Sequence, residues 1–220
     1  MAGYEQQDAH EFYITMLNSI HNSLQGKNSN CTCIAHSTFS GTLQSSVICA
    51  ECENISTSHD LFFDIPLDIK LSTKSILGCL DSFTATERLS KNTYYCHKCQ
   101  DHRGCEKKMT IHTFPKVICL QLKRFEHNSV ASKLTQFVSF PLDISLNSYT
   151  SSSSSSSSSA DHDYTLYSVV THLGTMDKGH YICHSKYGGD WFCFDDAWVK
   201  KSSEREVLAL NAYMLFYIKK

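Results

Sequence analysis

The sequence lacks long apolar runs and long runs of basic residues. No stretch is apolar for long enough to span a bilayer, and the residues from Met1 to Phe12 lack the apolar core of a signal peptide. Lysine and arginine number 20 against 22 acidic residues, so the formal net charge is −2. Because the basic residues are scattered and form no concentrated positive surface, we expect neither a membrane nor a direct nucleic-acid partner.

Cysteine and histidine, by contrast, are abundant, with 11 and 12 copies in 220 residues. An odd cysteine count without a secretory signal favours free thiols, metal ligands or catalysis over a disulfide framework. A hydrophobic content of 41% argues against a disordered chain and suffices for one sizeable domain or two small ones. The composition therefore predicts an intracellular, cysteine-rich globular protein.

The first segment, from Asp8 to Leu24, is typical of an amphipathic helix. Asp8 is well placed as its N-cap, with Glu11 three residues on, and the polar run from Gly26 to Asn30 ends it. Apolar residues recur at four-residue spacing, with Tyr13 and Leu17 beside them, and this stripe is expected to pack on a core: Phe12, Met16, Ile20 and Leu24.

The rest of the chain is dominated by short runs typical of β-strands. Val117 to Leu122 is continuously apolar, as expected of a buried strand, and Gly188-Gly189-Asp190 is a hairpin turn signal. The other predicted strands are Gly41 to Cys49, Leu61 to Leu71, Met109 to Phe114, Tyr164 to His172, Tyr181 to Lys186, Trp191 to Phe194 and Tyr213 to Ile218.

An unbroken serine run occupies Ser151 to Ser159. It can bury nothing, so we expect a disordered insertion over residues 147–161 within one domain, because strand patterns continue on both sides. A regulatory phosphorylation tract is the alternative, but no charged context supports it.

Two Cys-x-x-Cys pairs, Cys49 with Cys52 and Cys96 with Cys99, can complete a tetrahedral Cys₄ shell around Zn²⁺. Such a closed shell would be structural, joining two loop tips. The alternatives are four unrelated buried cysteines or a redox dithiol, but two pairs in one chain favour zinc.

A second ligand-rich cluster, Cys31-x-Cys33-x-x-His36, supplies three candidate ligands. The fourth is either His10, on the first turn of the helix, or Cys105. The remaining cysteines lie in apolar runs and are expected to be small buried hydrophobic residues, namely Cys79, Cys119, Cys183 and Cys193.

The last third of the chain carries a candidate catalytic pair. His180 follows a glycine at the mouth of one predicted strand, and Asp195 ends the strand paired with it through the Gly188-Gly189 turn. The acid would fix the imidazole tautomer while the histidine takes a proton from a nucleophile. A surface histidine and an unrelated strand-end acid are the alternative that spacing alone leaves open.

Motifs along nearly the whole chain resemble, in order, those of the ubiquitin-specific proteases. These papain-like cysteine proteases remove ubiquitin from lysine side chains. The matching segments are Gln6–Phe12, Gly41–Leu43, the two Cys-x-x-Cys pairs, Pro115–Phe125, Val138–Leu142, His180–Tyr181 and Asn211–Tyr217.

The resemblance implies an α+β fold with thumb, palm and fingers. Residues 8–25 would form the remaining thumb helix, 31–110 the zinc-bearing fingers and 111–220 the palm.

The resemblance also implies roles for individual residues. His180 would be the general base, Asp195 its orienting acid, and Asp196 a polar support for either partner or the oxyanion. Asp8 and Glu11 match positions that pair with arginines in the C-terminal tail of ubiquitin.

His10 together with the Cys31-x-Cys33-x-x-His36 cluster is similar to the deubiquitinase of the SAGA coactivator, which acts on ubiquitinated histone H2B. That likeness implies a second zinc site and favours His10 over Cys105 as its fourth ligand. It also implies adaptor proteins of a coactivator complex as partners, and a nuclear rather than a cytoplasmic location.

One family motif is missing. Family members carry their nucleophile in a Gly-Asn-Thr-Cys box before the Gln6–Phe12 motif, and none of the 11 cysteines follows Asn-Thr. Because attack on an isopeptide needs a thiolate with a base in reach, we expect this polypeptide alone not to cleave ubiquitin conjugates. Either the sequence is a fragment of a longer gene product, or it is a short paralogue.

Three classes of function therefore stand. The first is a deubiquitinase catalytic domain, incomplete as given. The second is a non-catalytic, zinc-braced module that binds ubiquitin. The third, a zinc-ribbon nucleic-acid binder, is ranked last because the net charge is −2.

Overall fold

The structure, a computed structural model, describes residues 7–24, 31–126, 132–151, 162–175 and 178–220. Its helices are α1 (Ala9–Ser23), α2 (Ile34–Phe39), α3 (Ile76–Thr84) and α4 (Glu204–Leu208), with a 3₁₀ turn at Asn147–Tyr149. Its strands are β1 (Gly41–Cys49), β2 (Ile55–Phe62), β3 (Ile65–Asp68), β4 (Glu87–Cys96), β5 (Asp101–Thr113), β6 (Val117–Lys123), β7 (Phe125–Glu126), β8 (Ser132–Lys133), β9 (Asp143–Ser145), β10 (Asp163–Gly174), β11 (Gly179–Tyr187), β12 (Asp190–Asp195), β13 (Trp198–Ser202) and β14 (Ala212–Lys219).

Two sheets organise the molecule. An antiparallel four-stranded sheet has the order β2-β1-β5-β4, and an eight-stranded sheet has the order β13-β12-β11-β10-β14-β6-β3, with β9 pairing β10. The short strands β7 and β8 pair separately. In the large sheet the β3 and β6 strands run parallel, whereas the other neighbours are antiparallel. The predicted mixed α+β architecture is confirmed.

The large sheet is buried on both faces at its centre. On β6, Ile118 and Leu120 pack into one apolar cluster, and Cys119 between them packs into a second cluster on the opposite face. The continuous apolar run of this strand is explained by this two-sided burial.

The second cluster is where α1 docks. Asp8 caps the helix as predicted, its side chain accepting from the backbone N–H groups of His10 and Glu11. The buried face, however, is formed by Tyr13 and Leu17, at 5% and 1% exposure.

The predicted core stripe on α1 is therefore confirmed for Tyr13 and Leu17 and wrong for most of the residues at four-residue spacing. Phe12, Met16 and Leu24 are 57%, 39% and 56% exposed, and Ile20 alone of that set packs partly against the second cluster. Tyr13 decides the orientation, because its hydroxyl donates to the carbonyl of Phe63 while its ring packs on Phe216.

The hairpin between β11 and β12 is confirmed. Gly188 and Gly189 both have positive φ, 59° and 92°, and link the paired residues Tyr187 and Asp190. Such a two-residue turn with two left-handed positions matches the twist of the strands and favours glycine.

The predicted disordered stretch, residues 147–161, is partly wrong. Asn147–Tyr149 forms the 3₁₀ turn, Tyr149 is buried, and the backbone N–H of Ser151 donates to Ile111. The remainder, residues 152–161, lies outside the described residues. Within the described part of the chain, no helix is long and apolar enough to cross a membrane.

Candidate functional site

The hairpin of β11 and β12 brings His180 and Asp195 together. His180 lies near the start of β11 and Asp195 at the end of β12, so the antiparallel pairing places both at the same end of the hairpin. His180 Nε2 lies 2.6 Å from Asp195 Oδ1. Because Nε2 faces the acid, Nδ1 is the nitrogen positioned to take a proton from a nucleophile.

The electrostatics of this pair favour a charged imidazole. The hydrogen bond to Asp195 raises the pKa of His180 above its ordinary value, and the charge of Asp196 acts in the same direction. Asp196 itself has a positive φ of 50°. The titratable cluster at this point contains His180, Asp195 and Asp196, and among the described residues no cysteine belongs to it.

The backbone before His180 is closely packed. A Cβ atom on Gly179 would overlap the ring of His172 and the carbonyl oxygen of Leu173. His172 is 6% exposed and contacts the rings of Phe125 and Tyr181. The glycine that precedes the histidine is therefore required by a close approach of two strands rather than by a turn.

The start of α1 lies beside a cavity of about 290 Å³. Asp8 is half-buried, and the hydroxyl of Tyr213 lies 2.7 Å from its Oδ2 and 2.9 Å from its Oδ1. Glu11 is exposed at the same cavity. The wall is lined by Asp8, His10, Glu11, Gln121, Lys123, Arg124, Phe125 and Tyr213. Two carboxylates at an open cavity suit a cationic side chain.

The four cysteines of the two Cys-x-x-Cys pairs converge at the end of the four-stranded sheet. Cys49 and Cys96 end β1 and β4, and their sulfurs lie 4.0 Å and 3.5 Å from those of Cys99 and Cys52 respectively. Tetrahedral bonds of about 2.3 Å would separate sulfurs by about 3.8 Å. The cluster can therefore hold a metal ion.

The local chemistry of this Cys₄ cluster also fits a metal site. Backbone N–H groups of Cys52 and Glu51 lower the pKa of Cys49 to about 7, which favours the thiolate that a metal requires, whereas a hydrogen bond with Cys52 raises the pKa of Cys99 to about 12. The residue after each pair, Glu53 and Gln100, has a positive φ of 56° and 54°. The two loops thus share one backbone geometry.

A second four-residue cluster forms where α1 and α2 meet. The Sγ of Cys33 lies 3.2 Å from His36 Nδ1 and 3.6 Å from His21 Nδ1, and the donor atoms of these residues and Cys31 all lie within 4.8 Å of one another. A hydrogen bond from His36 is the main cause that lowers the pKa of Cys33 to about 6. Two thiolates and two imidazoles form a donor set that suits Zn²⁺.

The fourth position of this second cluster is occupied by His21 and not by His10. His10 lies on the first turn of α1 and His21 on the last, so about 16 Å of helix separates them. The His10 Nε2 instead lies 2.9 Å from Asp64 Oδ2. Burial opposes the charged form of this imidazole, but the bond to Asp64 raises its pKa. The alternative, Cys105, is buried on β5 opposite Cys49.

Sequence reasoning missed His21, Asp64 and Tyr213 as members of these sites. A signal for His21 was present, because a ligand on the last turn of a helix is close to a ligand loop that directly follows. Asp64 and Tyr213 carry no such signal, since tertiary contacts alone bring them to α1. Of the four cysteines expected to be buried hydrophobic residues, Cys79, Cys119 and Cys193 are buried. Cys183 is half-buried, and its Sγ lies 3.2 Å from Ser168 Oγ.

A mixed α+β fold with a histidine–acid pair at the end of a central sheet is the arrangement of the papain-like thiol hydrolases. Residues 1–217 match the family model described as ubiquitin carboxyl-terminal hydrolase. The chain belongs to the ubiquitin carboxyl-terminal hydrolase family.

Curated relatives support this family membership. The chain is 41% identical to ubiquitin carboxyl-terminal hydrolase 8 of Saccharomyces cerevisiae, over 99% of this chain and 50% of the relative. It is 34% identical to ubiquitin carboxyl-terminal hydrolase nonstop of Drosophila melanogaster, over 100% of this chain and 51% of the relative. The chain thus spans about half the length of the curated relatives it matches.

Solved structures agree with the sequence comparison. The chain matches, with a TM-score of 0.89 and 40% identity, the structure of the SAGA Ubp8/Sgf11/Sus1/Sgf73 DUB module bound to ubiquitin aldehyde, covering 99% of this chain and 50% of that one. It matches the same module bound to monoubiquitin with a TM-score of 0.87 and 43% identity, covering 99% and 49%. Its domain is closely related to Ubp8, a deubiquitinase of SAGA.

Proposed function

We propose that this chain supplies the ubiquitin-binding surface and the general base of a SAGA-type deubiquitinase. The observation that carries the proposal is the His180–Asp195 hydrogen bond of 2.6 Å in a chain of this family. His180 takes the proton of a cysteine nucleophile through Nδ1, and Asp195 orients the ring and stabilises the imidazolium. Asp196 adds a second negative charge beside the ring.

Asp8 and Glu11 are proposed to bind the C-terminal tail of ubiquitin. Asp8 Oδ1 accepts two backbone N–H groups and Oδ2 lies 2.7 Å from the Tyr213 hydroxyl, so the Asp8 carboxylate is held in place at the cavity. The exposed Glu11 carboxylate beside it is then the main partner for a cationic tail. The relatives of known structure bind ubiquitin, and the cavity on which both acids lie is open to a chain of that kind.

Zinc is the metal we propose for both clusters. Cys49, Cys52, Cys96 and Cys99 would form a closed structural shell, and Cys31, Cys33, His36 and His21 a second one. Neither shell leaves an open position for a substrate, so both would brace the fold. The four-stranded sheet would then act as the fingers, the eight-stranded sheet as the palm and α1 as part of the thumb.

Further proposals rest on the relatives alone. Ubiquitinated histone H2B as substrate, adaptor proteins like Sgf11, Sus1 and Sgf73 as partners, and a nuclear location are all supported by the likeness to the SAGA module.

A second candidate function is ubiquitin binding without catalysis. It is favoured by one observation, namely that none of the 11 cysteines follows Asn-Thr. Both candidates require the same binding surface, and they differ in whether His180 acts on a nucleophile at all.

Titration of the zinc-loaded chain with ubiquitin, followed by calorimetry, tests the proposed function. We expect saturable binding that Glu11→Lys weakens roughly tenfold, about 1.4 kcal/mol, because a pairing charge becomes a repelling one. Glu204→Lys, an exposed change on α4, is the control and should leave binding unchanged. Absence of saturable binding by the folded chain would contradict both candidates.

The same preparation tests whether this chain carries a nucleophile of its own. An electrophile on the C-terminus of ubiquitin should leave the purified 220-residue chain unlabelled, as the missing Asn-Thr-Cys motif predicts. Covalent labelling of any cysteine would show that this chain supplies its own nucleophile.

A further inference from the structure

Lys133 lies close to the strand that pairs with His180. It is the second residue of β8, and its ammonium donates to the carbonyl oxygens of His172 at 2.9 Å and of Gly174 at 2.8 Å. Both acceptors lie at the end of β10. Burial, and secondarily the charge of Arg124, lower the pKa of Lys133 below its ordinary value.

The two acceptor residues flank the partner of His180. In the register of β10 and β11, His172 pairs with Tyr181, Leu173 with His180 and Gly174 with Gly179. Lys133 therefore binds β10 at the residues before and after Leu173, which is the residue opposite His180. Hydrogen bonds from an ammonium to carbonyl groups are charge-assisted and stronger than neutral ones.

The segment that carries Lys133 is itself anchored. Arg124 is fully buried, and its Nη1 donates to the carbonyls of Leu134 at 3.0 Å and Gln136 at 2.8 Å. Its Nε donates to Ala212 at 2.6 Å, at the start of β14. The amide of Asn211 adds a bond to the carbonyl of Thr135 at 3.0 Å. The backbone that follows Lys133 is thus held in place by these bonds, which restricts movement of the lysine ammonium.

The end of β10 needs such a restraint because it is too closely packed to accommodate a displacement of the backbone. Gly174 has a positive φ of 94°, and Gly179 packs directly against the ring of His172. A small shift of β10 would move Gly179 and with it His180, whose bond to Asp195 depends on ring placement.

We propose that Lys133 is a positioning residue that fixes the end of the β10–β11 hairpin and so keeps His180 in hydrogen-bond register with Asp195. The proposal rests on the proposed function, in which His180 is the general base. It assigns to Lys133 no contact with substrate. The lysine acts through the backbone of His172 and Gly174.

NMR titration of the histidine side chains in the full chain tests this role, with the His180 signal assigned by its loss in His180→Gln. In the unmodified chain we expect a His180 pKa above 6.5. Lys133→Met should lower that pKa by roughly 0.5, because a loosened bond to Asp195 stabilises the imidazolium less. Lys133→Arg keeps charged donors and should restore at least part of the difference.

Two further variants complete the test. Lys116→Met changes an exposed lysine immediately before β6 and should leave the His180 pKa unchanged. Lys133→Gln retains a shorter neutral donor and serves in place of Lys133→Met if that variant does not fold, with a shift in the same direction expected.

The outcomes separate this inference from the proposed function. In one outcome, a folded Lys133 variant unfolds at a lower temperature while its His180 pKa stays unchanged. That result would show that the lysine is purely structural, and it would overturn this inference but not the proposed function. An unmodified chain in which His180 titrates at its ordinary 6.5 would contradict the His180–Asp195 pair itself, and the proposed function with it.

Discussion

At the scale of residues, the two histidines of α1 belong to different sites, although the sequence suggested His10 as the fourth ligand of the second cluster. His10 binds Asp64 beside the cavity, whereas His21 joins Cys31, Cys33 and His36. Ligand types and the short Cys-x-Cys-x-x-His spacing could be recognised from sequence. The fourth ligand could not, because a helix projects residues eleven apart to opposite ends and only tertiary packing selects between them.

Metal analysis of purified variants tests this division. We expect about two zinc ions per chain, a loss of one in His21→Ala, and no loss in the matched variant His10→Ala. Mass spectrometry of the acid-digested protein provides the count. Retention of both ions by His21→Ala, or loss of one by His10→Ala, would contradict the placement of His21 in the second cluster.

At the scale of elements, the strands were more predictable than the face of the helix. The apolar run of β6 and the Gly188-Gly189 turn carry local signals, so their structures follow from pattern alone. The existence and cap of α1 also follow from pattern. Its orientation does not, because two apolar stripes compete and the hydrogen bond from Tyr13 to Phe63 decides between them.

The orientation of α1 is tested by the stability of paired variants. Leu17→Ala should lower the free energy of unfolding by about 2–5 kcal/mol, because it opens a cavity in a fully packed cluster. Phe12→Ala should change it by no more than about 0.5 kcal/mol, since that ring is exposed. Urea unfolding followed by circular dichroism measures both values. Equal losses, or the reverse order, would show that the helix docks through its other face.

At the scale of the whole molecule, the fold carries three separate features on different elements. The eight-stranded sheet carries the His180–Asp195 pair, α1 brings Asp8 and Glu11 to the cavity, and the Cys₄ cluster lies at the end of the four-stranded sheet. The sequence motifs identified each feature. Their relative placement depends on long-range strand pairing, such as β10 with β14, which no local pattern encodes.

The most direct test of the central claim is a map of where ubiquitin binds. Backbone amide signals of the ¹⁵N-labelled, zinc-loaded chain would be followed by NMR as unlabelled ubiquitin is added. We predict saturable changes centred on Glu11 and Phe125 at the cavity and on Gly179 and His180 at the hairpin, with α3 unaffected. A spectrum that ubiquitin leaves unchanged, or changes confined to α3 and its surroundings, would contradict the claim that this chain presents the ubiquitin-binding surface of a deubiquitinase.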